Sequence, residues 1–346
     1  GTSTTGSVQS AISSSPQNAV TPSLTPDQAT STGIVDLISS SAVLVGILIF
    51  LILSGALYFV LRRGILGVQA KQAGPALALS LLIALGVSLM TVCTLDPGNL
   101  PGMTPALIYA GAGSLLAAYL WHAGAMSRKI VLAIAALSTL TGFVLLAPVM
   151  PLEFAVFIST LSGASTLTAA VSIIGALILM AILFGRTFCS HFCPVGSVQE
   201  LVHAVPGKKI DYGSTGWPEF VRLALFAITS IAALCLVDLM EYTGLYQLFS
   251  LTLTAGFVVG LGLVLVSIFF YRPVCRILCP FGVLFSLTAT FSRFRLRRTA
   301  SCISCKKCER VCPVHAAGER DSKRECYLCG RCTDACPVKD AISYRK

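Results

Sequence analysis

The sequence predicts an all-α membrane protein of about seven transmembrane helices that ends in a small cysteine-rich domain, and three observations predict it. Hydrophobic residues make up 55% of the 346 residues and charged ones only 12%, which suits a chain embedded in a bilayer better than a globular enzyme. The apolar residues fall in runs close to the roughly 20 residues that cross a hydrocarbon core of about 30 Å. Eight of the fourteen cysteines then crowd between Ser301 and Pro337. A net charge of +10 would suit nucleic acid if the Lys and Arg residues formed one soluble patch. They sit instead at helix ends and around the cysteine-rich segment, so membrane topology accounts for them and nucleic acid is not expected as a partner.

In chain order, residues 1–32 hold fifteen Ser or Thr, no basic residue and almost nothing bulky. Such a segment cannot bury enough surface to fold alone and reads as a tail lying on a partner. The chain starts at Gly1, so an initiator Met is expected to have preceded it. The apolar runs lie at about 34–61, 73–95, 103–127, 130–150, 164–185, 219–240 and 249–271. Basic residues occupy alternate connections: Arg62, Arg63 and Lys71, then Arg128 and Lys129, then Arg186, Lys208, Lys209 and Arg222, and everything after the seventh run. All 25 therefore fall on one side of a seven-span arrangement. That asymmetry places the C-terminal domain in the cytoplasm, the N-terminal tail outside the cell, and the chain in the inner (cytoplasmic) membrane as a multi-pass protein in contact with lipid. The expected domains are a tail (1–32), a transmembrane helical domain (33–295) and a cysteine-rich domain (296–346).

Cys302, Cys305, Cys308 and Cys312 before Pro313 read C-x2-C-x2-C-x3-C-P, and Cys326, Cys329, Cys332 and Cys336 before Pro337 repeat it. The two-residue gaps let three thiolates converge on one cubane, while the fourth Cys reaches across to the other cluster. The expected ligation is crossed: Cys302, Cys305, Cys308 and Cys336 on the first [4Fe-4S] cluster, and Cys326, Cys329, Cys332 and Cys312 on the second. Two four-cysteine zinc sites or a disulfide framework compete with this reading. Zinc sites more often come as separated C-x2-C pairs, and a cytoplasmic location argues against disulfides. The segment is thus expected to have the fold of a bacterial-type 2[4Fe-4S] ferredoxin.

A second set of cysteines lies where the fifth and seventh runs end. Residues 186–201 read RTFCSHFCPVGSVQEL and residues 272–287 read RPVCRILCPFGVLFSL, an internal repeat in which Arg, both Cys, Pro, Gly and Leu stay in register. Cys189 with Cys193, and Cys275 with Cys279, are four apart, which would put each pair on one face of a helical turn ended by Pro194 or Pro280. Four thiolates suffice for one metal centre, and a third iron-sulfur centre is the preferred species. A structural zinc, a redox-active dithiol pair and plain packing cysteines remain open. His191, between Cys189 and Cys193, is a candidate donor to a cluster sulfur.

Two CxxxCP motifs that each begin with Arg and follow an apolar run, succeeded by the doubled C-x2-C-x2-C-x3-C-P segment, resemble the NapH, NosR and MauN type of membrane polyferredoxin. The resemblance covers about Leu167 to the C-terminus. It implies a redox subunit of a larger membrane complex, in which quinol or a partner protein meets iron-sulfur clusters, with quinol dehydrogenase as the nearest enzyme class. It departs from the pattern in having helices ahead of the roughly four spans common in the family. The rival is a metal-reducing assembly factor resembling CcoG-type proteins, whose copper-handling role should show outward Met or His clusters. Six scattered Met and four His do not make one.

Ser162–Ser165 reads SGAS, similar to the S-G-A-T sequence at which flavin mononucleotide is attached in some membrane redox proteins, with Ser165 as acceptor. Close packing of small residues is preferred to that flavin reading. Trp121 and His122 read as interfacial anchors, His203 and His315 as solvent or headgroup contacts, and Cys93 and Cys235 as packing residues. Arg293, Arg295, Arg297 and Arg298 read as a grip on anionic headgroups. Lys306, Lys307, Arg310 and Arg331 are expected to raise cluster potentials and attract an acidic partner. No nucleotide-binding motif appears, and a quinone site has no linear signature to place it.

Overall fold

The computed structural model describes residues 41–63, 73–95, 104–145, 154–161, 169–211, 217–235 and 237–346. The Ser/Thr-rich tail and Ser165 lie outside them. The described chain is mostly helical. Its long apolar segments form α1 (Ser41–Arg63), α2 (Ala73–Leu95), α3 (Thr104–His122) and α4 (Arg128–Leu145). A short α5 (Phe154–Leu161) is followed by α6 (Ala169–Phe184). After the first CxxxCP motif come α7 (Pro194–Ala204), α8 (Trp217–Leu234), α9 (Leu245–Phe249) and α10 (Ala255–Leu265), and after the second α11 (Pro280–Thr290).

Every expected span has a helix beneath it, but not the expected length. Among the described residues, Val43–Arg62 and Ala73–Val92 are the two stretches long and apolar enough to cross a membrane by length and composition. The run expected at 249–271 starts late: α9 precedes it and ends at its first residue, Phe249, Leu251 sits at φ 55, and α10 begins only at Ala255. The tight fit of α9 to α10 accounts for the break. A Cβ on Gly244 would lie 1.8 Å from the Gly256 carbonyl oxygen, and one on Gly260 would lie 2.4 Å from that of Gly244. An uninterrupted helix would have no room to make that contact. The third run also ends early, turning at Gly124 (φ 66), and the connection around 148–162 contains α5 rather than loop alone.

The C-terminal unit is small. β1 (Arg295–Arg298) pairs antiparallel with β2 (Ile342–Arg345), Arg295 opposite Arg345 and Arg298 opposite Ile342. Two single-turn helices, α12 (Lys307–Arg310) and α13 (Arg331–Asp334), lie between them. The domain seats on the ends of α3, α4 and α6. Tyr344 donates its hydroxyl to the Phe184 carbonyl at 2.6 Å, the backbone N–H of Arg128 reaches Asp334 at 3.2 Å, and Trp121 and Tyr344 rings lie 6.4 Å apart. Arg298 turns inward to Glu309, the Cys308 sulfur and the Ala317 carbonyl. The headgroup reading of this arginine run is therefore corrected at Arg298: the strand carries it into the cysteine domain.

Candidate metal centres

The CxxxCP cysteines are not on an α-helical turn. Phe188–Phe192 and Val274–Leu278 are each wound as a π-turn. The N–H of Cys193 reaches the Phe188 carbonyl at 3.0 Å and that of Cys279 the Val274 carbonyl at 2.8 Å, each a five-residue step. The second Cys of each motif then leaves the helix at φ −71, ψ 116 or φ −72, ψ 116 and becomes the N-cap of the next one, with Pro at its first position. This gives the motif a local logic. Proline has no N–H to lose at a helix start, and the carbonyl of each capping cysteine accepts a backbone N–H of the new helix, Cys193 from Ser197 and Cys279 from Gly282. The two glycines are there for space: a Cβ on Gly196 would lie 2.5 Å from the Cys189 carbonyl oxygen, and one on Gly282 would lie 2.5 Å from that of Cys275.

The repeats bring all four sulfurs into one electrostatic neighbourhood: Cys193 and Cys279 each feel both Cys275 and Cys189. Burial pushes the Cys189 thiol up to about 11, with Arg186 pulling the other way. Burial likewise raises Cys275, opposed by Arg272, Arg186 and the Gln199 amide, which donates to its sulfur at 3.3 Å. A buried thiolate in this place needs cationic compensation, and two buried guanidiniums supply part of it. Arg272 also binds the Cys189 and Ser190 carbonyls at 2.8 and 2.9 Å, so the arginine of one repeat caps the π-turn of the other.

His191 is fully buried, but its ring accepts the Trp121 indole N–H at 3.3 Å, and burial followed by Arg272 lowers its pKa to about 3. Among the described residues the side-chain amide on a CxxxCP sulfur belongs to Gln199, which sequence reading passed over because nothing marks it as more than a helical glutamine. His203 is also buried, against the Ser267 carbonyl at 2.8 Å rather than facing water, whereas His315 is exposed and bonds Asp211. His122 is exposed and edges onto Phe294. Cys235 is exposed at the end of α8, and the side chain of Cys93 is outside what the structure describes.

In the C-terminal domain, Cys302, Cys305, Cys308 and Cys336 line one cavity. Cys312, Cys326, Cys329 and Cys332 line another. The half-motifs are wound alike: Ser304 (φ 54) and Lys306 (φ 57) flank Cys305 as Leu328 (φ 47) and Gly330 (φ 78) flank Cys329. Left-handed residues on both sides of the middle Cys curl the loop so that three sulfurs face inward, at a cost of about 1–3 kcal/mol for each non-glycine. Cys312 accepts the Ala316 N–H at 3.3 Å, and burial pushes the Cys326 thiol up to about 12. Among the described residues no three His, Cys, Asp or Glu side chains close tightly enough to hold one metal ion. The fit to iron-sulfur clusters rests on donor chemistry, three cysteine-only sets with the Arg298 guanidinium on Cys308, the Ala316 N–H on Cys312 and the Gln199 amide on Cys275.

Two carboxylates join the parts. Glu200, fully buried, holds Arg128, Arg272 and Arg331 at 2.6, 3.0 and 2.9 Å and accepts the Tyr271 hydroxyl at 2.7 Å. Despite its burial, those guanidiniums hold its pKa well below the usual carboxylate range. Glu325 holds Arg186 and Arg222 at 2.9 and 2.8 Å and takes the Ser286 hydroxyl, and its pKa falls to about 2 against the effect of burial. Arg331, expected to face a partner, is thereby turned inward.

A 4Fe-4S binding domain family matches the chain twice, over residues 166–212 and 252–299, once on each CxxxCP repeat. Among the relatives, one is named ferredoxin-type and one an electron transport protein. Methylamine utilization ferredoxin-type protein MauN of Methylobacillus flagellatus is 29% identical over 48% of this chain and 62% of its own. Putative electron transport protein YccM of Escherichia coli is 26% identical over 50% and 53%, and regulatory protein NosR of Pseudomonas aeruginosa 30% identical over 39% and 21%. Over these stretches the chain resembles the NapH/NosR/MauN-type polyferredoxins. No solved structure matches it. The chain spans little more than half the length of YccM and about a fifth of NosR, and iron-sulfur clusters are its cofactor class.

Proposed function

We propose that this chain relays single electrons between a quinol/quinone pool, or a membrane partner, and cytoplasmic iron-sulfur clusters, as a subunit of a larger redox complex. One observation carries the reading: the CxxxCP sulfurs lie directly beneath a cluster motif, because Tyr327, next to Cys326, packs on Cys275 in a small buried cluster. Electron-transport names among the relatives support it. In this reading Cys302, Cys305, Cys308 and Cys336 hold one [4Fe-4S] cluster, Cys326, Cys329, Cys332 and Cys312 a second, and Cys189, Cys193, Cys275 and Cys279 a third centre. Bound there, such clusters supply one-electron steps, so a two-electron quinol must deliver its electrons in turn. The protein's own part is to fix spacing, exclude water and set charge around the sulfurs.

A seven-span arrangement, with the cysteine domain cytoplasmic and the N-terminal tail outside, remains our proposal. Its support is the one-sided basic charge and the apolar outer faces of the helices, where Ile231 and Val258 are 62% and 68% exposed. Iron and acid-labile sulfide per chain provide the test. About twelve of each are expected for three cubanes, about eight would remove the CxxxCP centre, and clusters that reconstituted quinol cannot reduce would remove the relay.

A further inference from the structure

The two CxxxCP repeats are not equivalent in charge. Fourteen residues after its arginine the first repeat has Glu200, and at the matching place the second has Ser286. Arg272, fully buried, is neutralised by Glu200 of the other repeat at 3.0 Å. Arg186 is as deeply buried, its side chain 1% exposed, and the carboxylate it meets at 2.9 Å is Glu325. Ser286 donates its hydroxyl to that same carboxylate. Glu325 thus fills the position the second repeat leaves without an anion, and it comes from the C-terminal domain, immediately before Cys326. Tyr327 follows, buried between the two guanidiniums, with the Arg186 and Arg272 Cζ atoms 4.2 and 4.8 Å from its ring centroid.

A buried guanidinium deprived of its carboxylate is strongly destabilising, and cations over a desolvated aromatic face are held in place by it. The charge cage around the four CxxxCP sulfurs is therefore closed by a strand of chain whose middle residue faces the neighbouring cluster site. We propose that Glu325 and Tyr327 are positioning residues of the CxxxCP centre, supplied by the ferredoxin-like domain, so that this centre is complete only while that domain is seated. The inference rests on reading Cys189, Cys193, Cys275 and Cys279 as a metal centre.

The test uses the full-length chain, purified anaerobically, with iron and sulfide counted and each centre followed by EPR during redox titration. Glu325→Gln should remove the CxxxCP signal, with about four of about twelve irons, or move its midpoint potential, while the signals of the ferredoxin pair stay. Returning a carboxylate to the matching place, in Ser286→Glu with Glu325→Gln, should restore it. Tyr327→Leu should shift the same potential, and Tyr327→Phe, which keeps the ring between the guanidiniums, should return it. Glu325→Gln protein with wild-type iron and unmoved potentials would overturn the inference. So would loss of all signals together without recovery in the double variant, since that is general unfolding. Wild-type protein with about eight irons would instead withdraw the CxxxCP centre itself, and the inference with it.

Discussion

A single added methyl group tests the tightest contact in the CxxxCP site. The Cβ of Ala at position 196 would stand 2.5 Å from a backbone oxygen that belongs to Cys189, and backbone cannot swing aside as a side-chain tip can. Gly196→Ala is expected to displace the π-turn and lose about four irons per chain, leaving the ferredoxin-like pair loaded, as metal analysis and EPR would show. Glu200 sets a different scale of loss. Glu200→Gln leaves three arginines around a neutral amide in a dry site and should cost about 3–5 kcal/mol of domain seating, read as earlier urea release of the C-terminal domain. The pH dependence follows from the same pair. Because the folded pKa of Glu200 is depressed, its contribution is complete above the unfolded value of 4.5 and is lost as pH falls below that towards the folded one. Seating in the metal-free chain should hence be flat from pH 8 to about 5 and weaken only in stronger acid. His191 is buried between the two cysteines that singled it out in the sequence, and its Nε2 accepts the indole N–H of Trp121, seventy residues away.

At the level of elements, the doubled motif and the repeat were both legible because ligand spacing is local. Crossing between half-motifs is the part with a sharp consequence. Cys312→Ser should abolish the cluster assigned to Cys326, Cys329 and Cys332, not the one assigned to the rest of its own motif, and EPR of the purified variant would tell the two apart. The π-winding was not legible, since a four-residue spacing fits an α-helical face equally well. In both repeats the wider turn delivers its second Cys to the N-cap of the next helix, where Pro starts it, and in the first repeat Arg272 of the other repeat takes two of the turn's carbonyls. The break between α9 and α10 was hidden for a related reason. Ser250, Thr252 and Thr254 are too weakly polar to end an apolar run in a hydropathy reading, but Thr254 is the N-cap of α10, and the backbone approach at Gly244, Gly256 and Gly260 fixes the break.

For the whole molecule, seating of the C-terminal domain should depend on its clusters, because the loops that carry Glu325 and Arg331 are wound by the cysteines. Chelation of iron is expected to release the domain and expose Trp121, now 3% accessible beneath Tyr344, as a red shift and increased quenching of tryptophan emission. The proposed topology has its own check: cysteines placed singly in the 1–32 tail should react with an impermeant thiol reagent in intact cells, and one placed at Lys346 only after lysis. The opposite pattern would reverse the orientation.

The sequence by itself determined the chemistry: apolar runs that want a bilayer, and twelve cysteines in three sets, since both are properties of composition and short spacing. Only the tertiary structure decided how those sets are joined. The residues that do it come from three distant stretches: Arg186 and Arg272 stand out as the arginines that open each repeat, but Glu200, Glu325 and Tyr327 are not distinctive where they stand. Charge burial brings them together, because a guanidinium removed from water must find a carboxylate wherever in the chain one can reach it.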